Sequence, residues 1–287
     1  MGKATREAYG NALARIGKEN TNIIVLDADL SKSTKTDTFK AVCPERFFNV
    51  GIAEQNLISV GAGLAAAGKI PFVSSFSMFA TGRAFEQIRN AVCYPKLNVK
   101  VCATHAGITV GEDGATHQSL EDISCMRTLP NMTVVVPADE RETEAVIEWA
   151  ASYNGPVYVR LGRAGVDDVT TEGYSFVPGK STILVDGSDA TIIACGALVG
   201  PAVEASKTLS ESNISARVIN MASIKPIDAE AIIKAAAETG AIVTAEEHNI
   251  IGGLGSAVSE VVVSNKPVPM EFVGVQDTFG ESGTPKE

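Results

Sequence analysis

Short apolar runs alternate with helix-periodic segments along almost the whole chain, and this alternation limits the fold more than any other feature. Asn22–Leu26, Pro71–Ser75, Val99–Thr104, Thr133–Pro137 and Pro156–Leu161 read as strands, set among helical segments at Thr5–Lys18, Ala53–Gly68, about Ala80–Val92 and Glu140–Ala151. Strands this apolar leave no face for water, so the expected sheet is parallel and covered by helices on both sides.

Gly162–Gly179 breaks the rhythm. It is polar, holds Gly, Asp and Thr, and ends in Pro178–Gly179, which marks an interdomain linker. Beyond it, apolar runs at Ala190–Ala194, Ala216–Asn220, Ala241–Ala245 and Glu271–Val275 alternate with helical segments near Ala197–Ser210, Asp228–Glu238 and Gly255–Val263. The expectation is two doubly wound α/β domains: a mainly parallel-sheet domain at residues 1–163 and a smaller one at 180–287, joined by residues 164–179.

Net charge is −10, from 24 basic and 34 acidic side chains, and it is unevenly spread. Residues 1–165 carry 17 of each sign, whereas 166–287 carry 7 basic and 17 acidic. The excess argues against nucleic acid or an anionic membrane as partner, while the neutral first part can hold a phosphorylated substrate. No apolar run is long enough to span a bilayer, and Met1–Glu7 does not read as a signal peptide. The five cysteines are odd in number and form no C-x-x-C, so they read as reduced thiols of a cytoplasmic protein rather than a disulfide frame or zinc site. No metal site is expected on this chain.

Three segments carry candidate chemistry. Glu54 opens the apolar, Gly-rich run Leu57–Ala67, so its carboxylate is carried into apolar surroundings. Taken alone it is a helix-start Glu favoured by the dipole. Phe76 and Phe79 follow a strand at the carboxyl edge where parallel sheets bind ligands; three apart, they are either core packing or an apolar wall for a heteroaromatic ring. The loop Thr104–Gln118 holds two of the three histidines, His105 and His117, with Glu112, Asp113 and several glycines. Such a loop can fold closely round a polyhydroxylated substrate and move protons on it.

The order and spacing of G-I-A-E-Q-N (51–56), S-F-S-M-F (75–79) and T-H-x-G-I-x-V-G-E-D-G-A-T-H-Q (104–118) resemble the pyrimidine-binding half of transketolases, which use thiamine diphosphate. The resemblance continues through S-I-K-P-I-D, G-G-L-G-S-A-V and F-V-G-V-Q-D-T-F-G in the second part, which is similar to the transketolase C-terminal domain. It implies that Glu54 bonds the ring nitrogen of the cofactor's aminopyrimidine and so activates the cofactor. Phe76 and Phe79 resemble the aromatic wall, with Gly82 where the family often has a third aromatic. Asp29 falls among the cofactor-binding positions. His105, Asp113 and His117 resemble residues that contact sugar hydroxyls and assist proton transfer, and Arg6, Ser33 and Arg160 resemble phosphate contacts. An arginine fork suits that last role because it binds phosphate oxygens bidentately.

The resemblance also defines what is missing. The family holds the diphosphate and a divalent cation, Mg2+ or Ca2+, through a G-D-G motif and a downstream Asn on a preceding domain, and no such motif is present. The expectation is a split transketolase. This chain would be the C-terminal subunit, completed by an N-terminal subunit in a heterotetramer of two of each chain, and would transfer a two-carbon ketol unit between sugar phosphates of the pentose phosphate pathway. Family members usually continue into a further helix from about Glu287. A 1-deoxyxylulose-5-phosphate synthase-like half and a non-catalytic assembly partner with the same fold remain as alternatives. The usual loop of a 2-oxo-acid dehydrogenase β subunit is not found in place of G-E-D-G-A-T-H-Q.

Overall fold

The computed structural model describes residues 2–287, and most of its strands are the apolar runs of the sequence. The first part supplies Ile23–Asp27 (β1), Phe47–Asn49 (β2), Ile70–Ser74 (β3), Lys100–Ala103 (β4), Thr133–Val135 (β5) and Val157–Arg160 (β6). The second supplies Thr182–Val185 (β7), Ala190–Ala194 (β8), Ala216–Asn220 (β9), Ser223–Lys225 (β10), Ile242–Asn249 (β11) and Met270–Val275 (β12). One sheet runs β10-β5-β6-β4-β3-β1-β2 and the other β12-β11-β8-β9-β7. Only β10 and β7 run antiparallel to their neighbours. Every residue of β1, β4 and β6 is buried, as expected of central strands with helices on both faces.

The two parts are joined more closely than a simple linker implies. β10 belongs to the second part by sequence, yet it extends the first sheet beside β5, and Lys225 Nζ donates to the carbonyls of Arg127 and Leu129. The segment after β6 contains no helix or strand beyond a single bridge of Gly165 to Ala4, but it is fastened to the first part. Asp139 caps the helix Glu140–Ser152 through Glu142 N and also accepts from the amides of Val169 and Thr170. Buried Glu142 accepts from Asn220 Nδ2, Tyr174 Oη and Ala138 N, which ties a carboxylate of the first part to linker and second part at once. One apolar core runs through both parts, from Leu26 and Val101 to Ile219 and Val258.

The segment expected as one α-helix over Ala80–Val92 is instead a short α turn, Phe85–Gln87, between π-helical turns at Met78–Arg83 and Ile88–Cys93. Wide turns of this kind are costly and cluster at functional sites. Among the described residues, no helix is long and apolar enough to cross a membrane.

Candidate active site

The carboxyl ends of β1, β3, β4 and β6 meet at one edge of the first sheet, and the chain leaving each of them builds the site. After β3, Phe76 bridges to Thr104, and Ser77 N donates to Thr104 O at 2.7 Å. That contact places the Phe76 ring against His105, with centroids 3.8 Å apart and planes 24° apart. His105 takes a positive φ of 57°, which turns the loop away from the strand direction. Phe79 lies 6.0 Å from Phe76, and His117 meets the Phe79 ring edge-on at 5.2 Å.

Glu54 is the first residue of the helix Glu54–Ala66 and is 4% exposed. It is not a carboxylate alone in an apolar pocket. Arg83 Nη1 donates to its Oε1 at 3.2 Å, and the same guanidinium lies 4.3 Å from the centre of the Phe79 ring. Arg83 thus covers Phe79 from beside Gly82. Two clefts open on either side of it. One, of about 490 Å³, is lined by Ile52–Asn56 and Arg83; the other, of about 480 Å³, is lined by Met78, Phe79, Arg83 and Ala115 among others.

At the other end of the aromatic row, Arg6 Nη1 donates to Ser33 O at 2.9 Å and to His105 Nε2 at 3.2 Å. Arg6 can only donate, so Nε2 carries the lone pair and Nδ1 the proton, which goes to Thr104 Oγ1 at 2.9 Å. Burial lowers the His105 pKa to about 3, with help from the charges of Arg6, Arg163 and His117, so the ring is neutral at ordinary pH. Burial also lowers the Arg6 pKa, and Arg163 adds to the effect. Arg6 Nε is buried with no protein partner, a donor left for a ligand.

Glu54, Arg83, Phe79, Phe76, His105, Arg6 and Ser33 therefore form one unbroken line of contacts. Six of these seven, all but Arg83, were singled out from the sequence in separate motifs. Asp113 is exposed on the loop, and His117 is half-buried with Nδ1 2.9 Å from Thr116 Oγ1. Asp29 is exposed, at φ 66°, with Oδ1 accepting from Asn49 Nδ2 at 2.7 Å, and touches none of the line.

Arg160 is placed differently from the sequence expectation. It is the last residue of β6, 5% exposed, with Nε donating to Asp122 Oδ2 at 2.8 Å and Nη2 to the carbonyls of Glu247 and Ser119. Burial pushes the Asp122 carboxyl up, but the Arg160 charge and hydrogen bonds outweigh it and hold the carboxyl below its usual range. The arginine whose charge reaches Arg6 and His105 is Arg163, three residues on, which donates to Val110 O and Glu112 Oε2. It lies past the carboxyl end of the strand, where parallel sheets bind ligands, and that rule separates the two arginines. Arg83 was missed as well; it shares a π-helical turn with Phe79, where the 3.6-residue spacing that marks an α-helical face does not hold. Among the described residues, no group of three or more His, Cys, Asp or Glu is placed to hold a metal ion.

Comparison with known proteins agrees with this architecture. Residues 1–167 match the transketolase pyrimidine-binding domain, and residues 179–287 match the transketolase C-terminal domain. A protein of Methanocaldococcus jannaschii provisionally named a transketolase C-terminal section is 54% identical over 99% of this chain and 90% of its own length. A 6-deoxy-6-sulfo-D-fructose transketolase subunit of a Clostridium species is 43% identical over 97% of this chain and 86% of its own length. Among solved structures, a split-gene transketolase described as an inactive beta4 tetramer is 58% identical, with TM-score 0.91, over 96% of this chain and 91% of that one. The transketolase of Leishmania mexicana gives TM-score 0.83 at 28% identity, over 99% of this chain and 42% of that one.

Proposed function

The chain belongs to the transketolase family, with its pyrimidine-binding and C-terminal domains in order, and from that premise we propose that it is one of the two chains of a thiamine diphosphate-dependent split transketolase. The reaction is transfer of a two-carbon ketol unit between sugar phosphates. An N-terminal subunit with the diphosphate-binding domain supplies the remaining part of the site, together with the divalent cation, Mg2+ or Ca2+, and two copies of each chain assemble. Relatives of similar length that are named as sections or subunits support the split. Free cysteines throughout the chain support a cytoplasmic setting.

The observation that carries this reading is the line from Glu54 to Ser33. Its first part fits the cofactor's aminopyrimidine: a flat, nitrogen-donating group, the Arg83 guanidinium, already lies over Phe79 and bonds Glu54. When bound, thiamine diphosphate supplies the carbon nucleophile that carries the two-carbon unit. Glu54 holds the ring nitrogen at the helix start, Phe76 and Phe79 form the wall, and both open clefts face outward, where a partner chain can close them. At the far end, the free Nε of Arg6 and the Arg163 guanidinium offer donors to a substrate phosphate. Neutral His105 keeps Arg6 in place by accepting its hydrogen bond. Asp113 and His117 are within the loop that would meet the sugar hydroxyls.

The test is reconstitution with the N-terminal subunit and an assay with ketose and aldose phosphates. Turnover only with both chains is expected, as is weak cofactor binding by this chain alone. Tight, metal-dependent binding of thiamine diphosphate by the isolated chain would rule out a site shared between chains.

A further inference from the structure

We propose that Glu247, from the second domain, is a positioning residue for the loop that presents Asp113 and His117 to the sugar. The inference rests on the transketolase reading above and gives the second domain a part in substrate binding.

Regular pairing of β11 with both neighbours extends from Ile242 to Ala245, and the register with β12 shifts before Asn249. The shift releases Glu246, Glu247 and His248 from the regular ladder, and all three remain buried. Glu246 turns back to its own domain, accepting from Leu254 N and Gly255 N at the start of the helix Leu254–Asn265. Glu247 points the other way. Its Oε1 accepts from Thr109 N at 2.5 Å, in the loop of the first domain. Its backbone carbonyl accepts from Arg160 Nη2 at 2.7 Å, and the same Nη2 donates to Ser119 O at 3.3 Å. One residue thus holds the loop near its beginning, at Thr109, and through Arg160 at its end, at Ser119.

Gly107 records the same contact in the sequence. It has φ 86°, and a Cβ there would lie 2.2 Å from Glu247 Cδ, closer than any side chain tolerates. The carboxylate therefore rests on the glycine backbone two residues after His105. Burial pushes the Glu247 carboxyl up, against the pull of Arg160 and the Thr109 hydrogen bonds. Nothing in this arrangement touches Glu54, Arg83 or Phe79, so it separates sugar binding from cofactor binding.

The experiment compares Glu247→Ala, Glu247→Gln and Gly107→Ala in the reconstituted two-chain enzyme, with hydrogen–deuterium exchange on this chain in the same complexes. Glu247→Ala is expected to raise the KM for both sugar phosphates about tenfold, with a smaller fall in kcat and an unchanged Kd for thiamine diphosphate. Glu247→Gln keeps an oxygen acceptor for Thr109 N and should return KM to within about threefold of the wild type. Gly107→Ala should reproduce the Glu247→Ala effect, and exchange should quicken over residues 106–119 in both. The proposal is overturned if Glu247→Ala leaves the sugar KM unchanged, if cofactor affinity falls in parallel, or if Gln rescues nothing. Should the wild-type complex transfer no ketol unit, the transketolase reading fails by itself. Exchange then decides the positioning role: faster loop exchange confined to 106–119 upholds it, and unchanged exchange overturns it.

Discussion

Arg83 Nη1 lies 3.2 Å from Glu54 Oε1 while its guanidinium sits 4.3 Å from the centre of the Phe79 ring. One flat cation thus engages both the carboxylate and the aromatic face proposed for the aminopyrimidine. The side chain is 55% exposed, with open clefts on both sides, so it has room to leave. The pairing also keeps a buried carboxylate at a helix start from being left without a donor.

Replacing Arg83 therefore frees the carboxylate and the ring. A half-exposed ion pair is worth up to about 1 kcal/mol, so Arg83→Ala should lower the Kd of the reconstituted enzyme for thiamine diphosphate by up to about fivefold. Isothermal titration with the cofactor and Mg2+ reads this directly. Weaker binding in the variant would make Arg83 a cofactor ligand rather than a group displaced by the cofactor.

Glu54→Gln keeps the size and the helix start but cannot exchange a proton with a ring nitrogen. Ketol transfer by the reconstituted enzyme should fall by at least about a hundredfold, a typical loss for a proton-handling group. The thermal midpoint should move little, because Glu54 makes its one ion pair with a half-exposed arginine. Turnover within a few-fold of wild type would remove Glu54 from the mechanism.

The sequence made the strands legible where both faces are buried, because such a strand reads as an unbroken apolar run. β1, with all five residues buried, is an example. β2 and β10 are three residues long, and β10 pairs with a strand almost ninety positions earlier, so neither leaves a local pattern. Glu54, Phe76, Phe79 and His105 were legible from their order along the chain. Arg83 was not, because its contacts depend on a π-helical turn that breaks the 3.6-residue period. Arg163 was hidden by Arg160, which ends a strand and has the more familiar position. Only the fold shows that Arg160 turns into the domain junction.

Arg160 and Arg163 should consequently respond in opposite ways. Arg160→Ala leaves the fully buried Asp122 without its countercharge and should cost about 3–5 kcal/mol of stability, seen as a large drop in the urea midpoint. Arg163→Ala should leave that midpoint nearly unchanged while raising the KM for phosphorylated sugars about tenfold more than for unphosphorylated ones. Equal effects on both substrate types would remove the phosphate role from Arg163.

His105 makes stability depend on pH in a definite direction. Its pKa in the folded chain is about 3, below the ordinary value near 6.5, so the unfolded chain binds the extra proton first. The contribution is complete above about pH 6.5 and is lost as pH falls toward 3, with about 2 kcal/mol gone by pH 5. Lys100, buried between the carbonyls of Tyr153 and Gly155 with its pKa lowered to about 7, acts in the same sense but only between about pH 7 and its unfolded value near 10.5. The carboxyls of Asp27, Glu142 and Glu247, pushed up chiefly by burial, titrate equally in wild type and variant and cancel in the comparison. Urea unfolding of wild type and His105→Asn at pH 7.5 and pH 5, run on this chain, isolates the imidazole. The wild type should lose about 2 kcal/mol more than the variant between the two pH values, and equal losses would show that His105 is not held neutral by its surroundings.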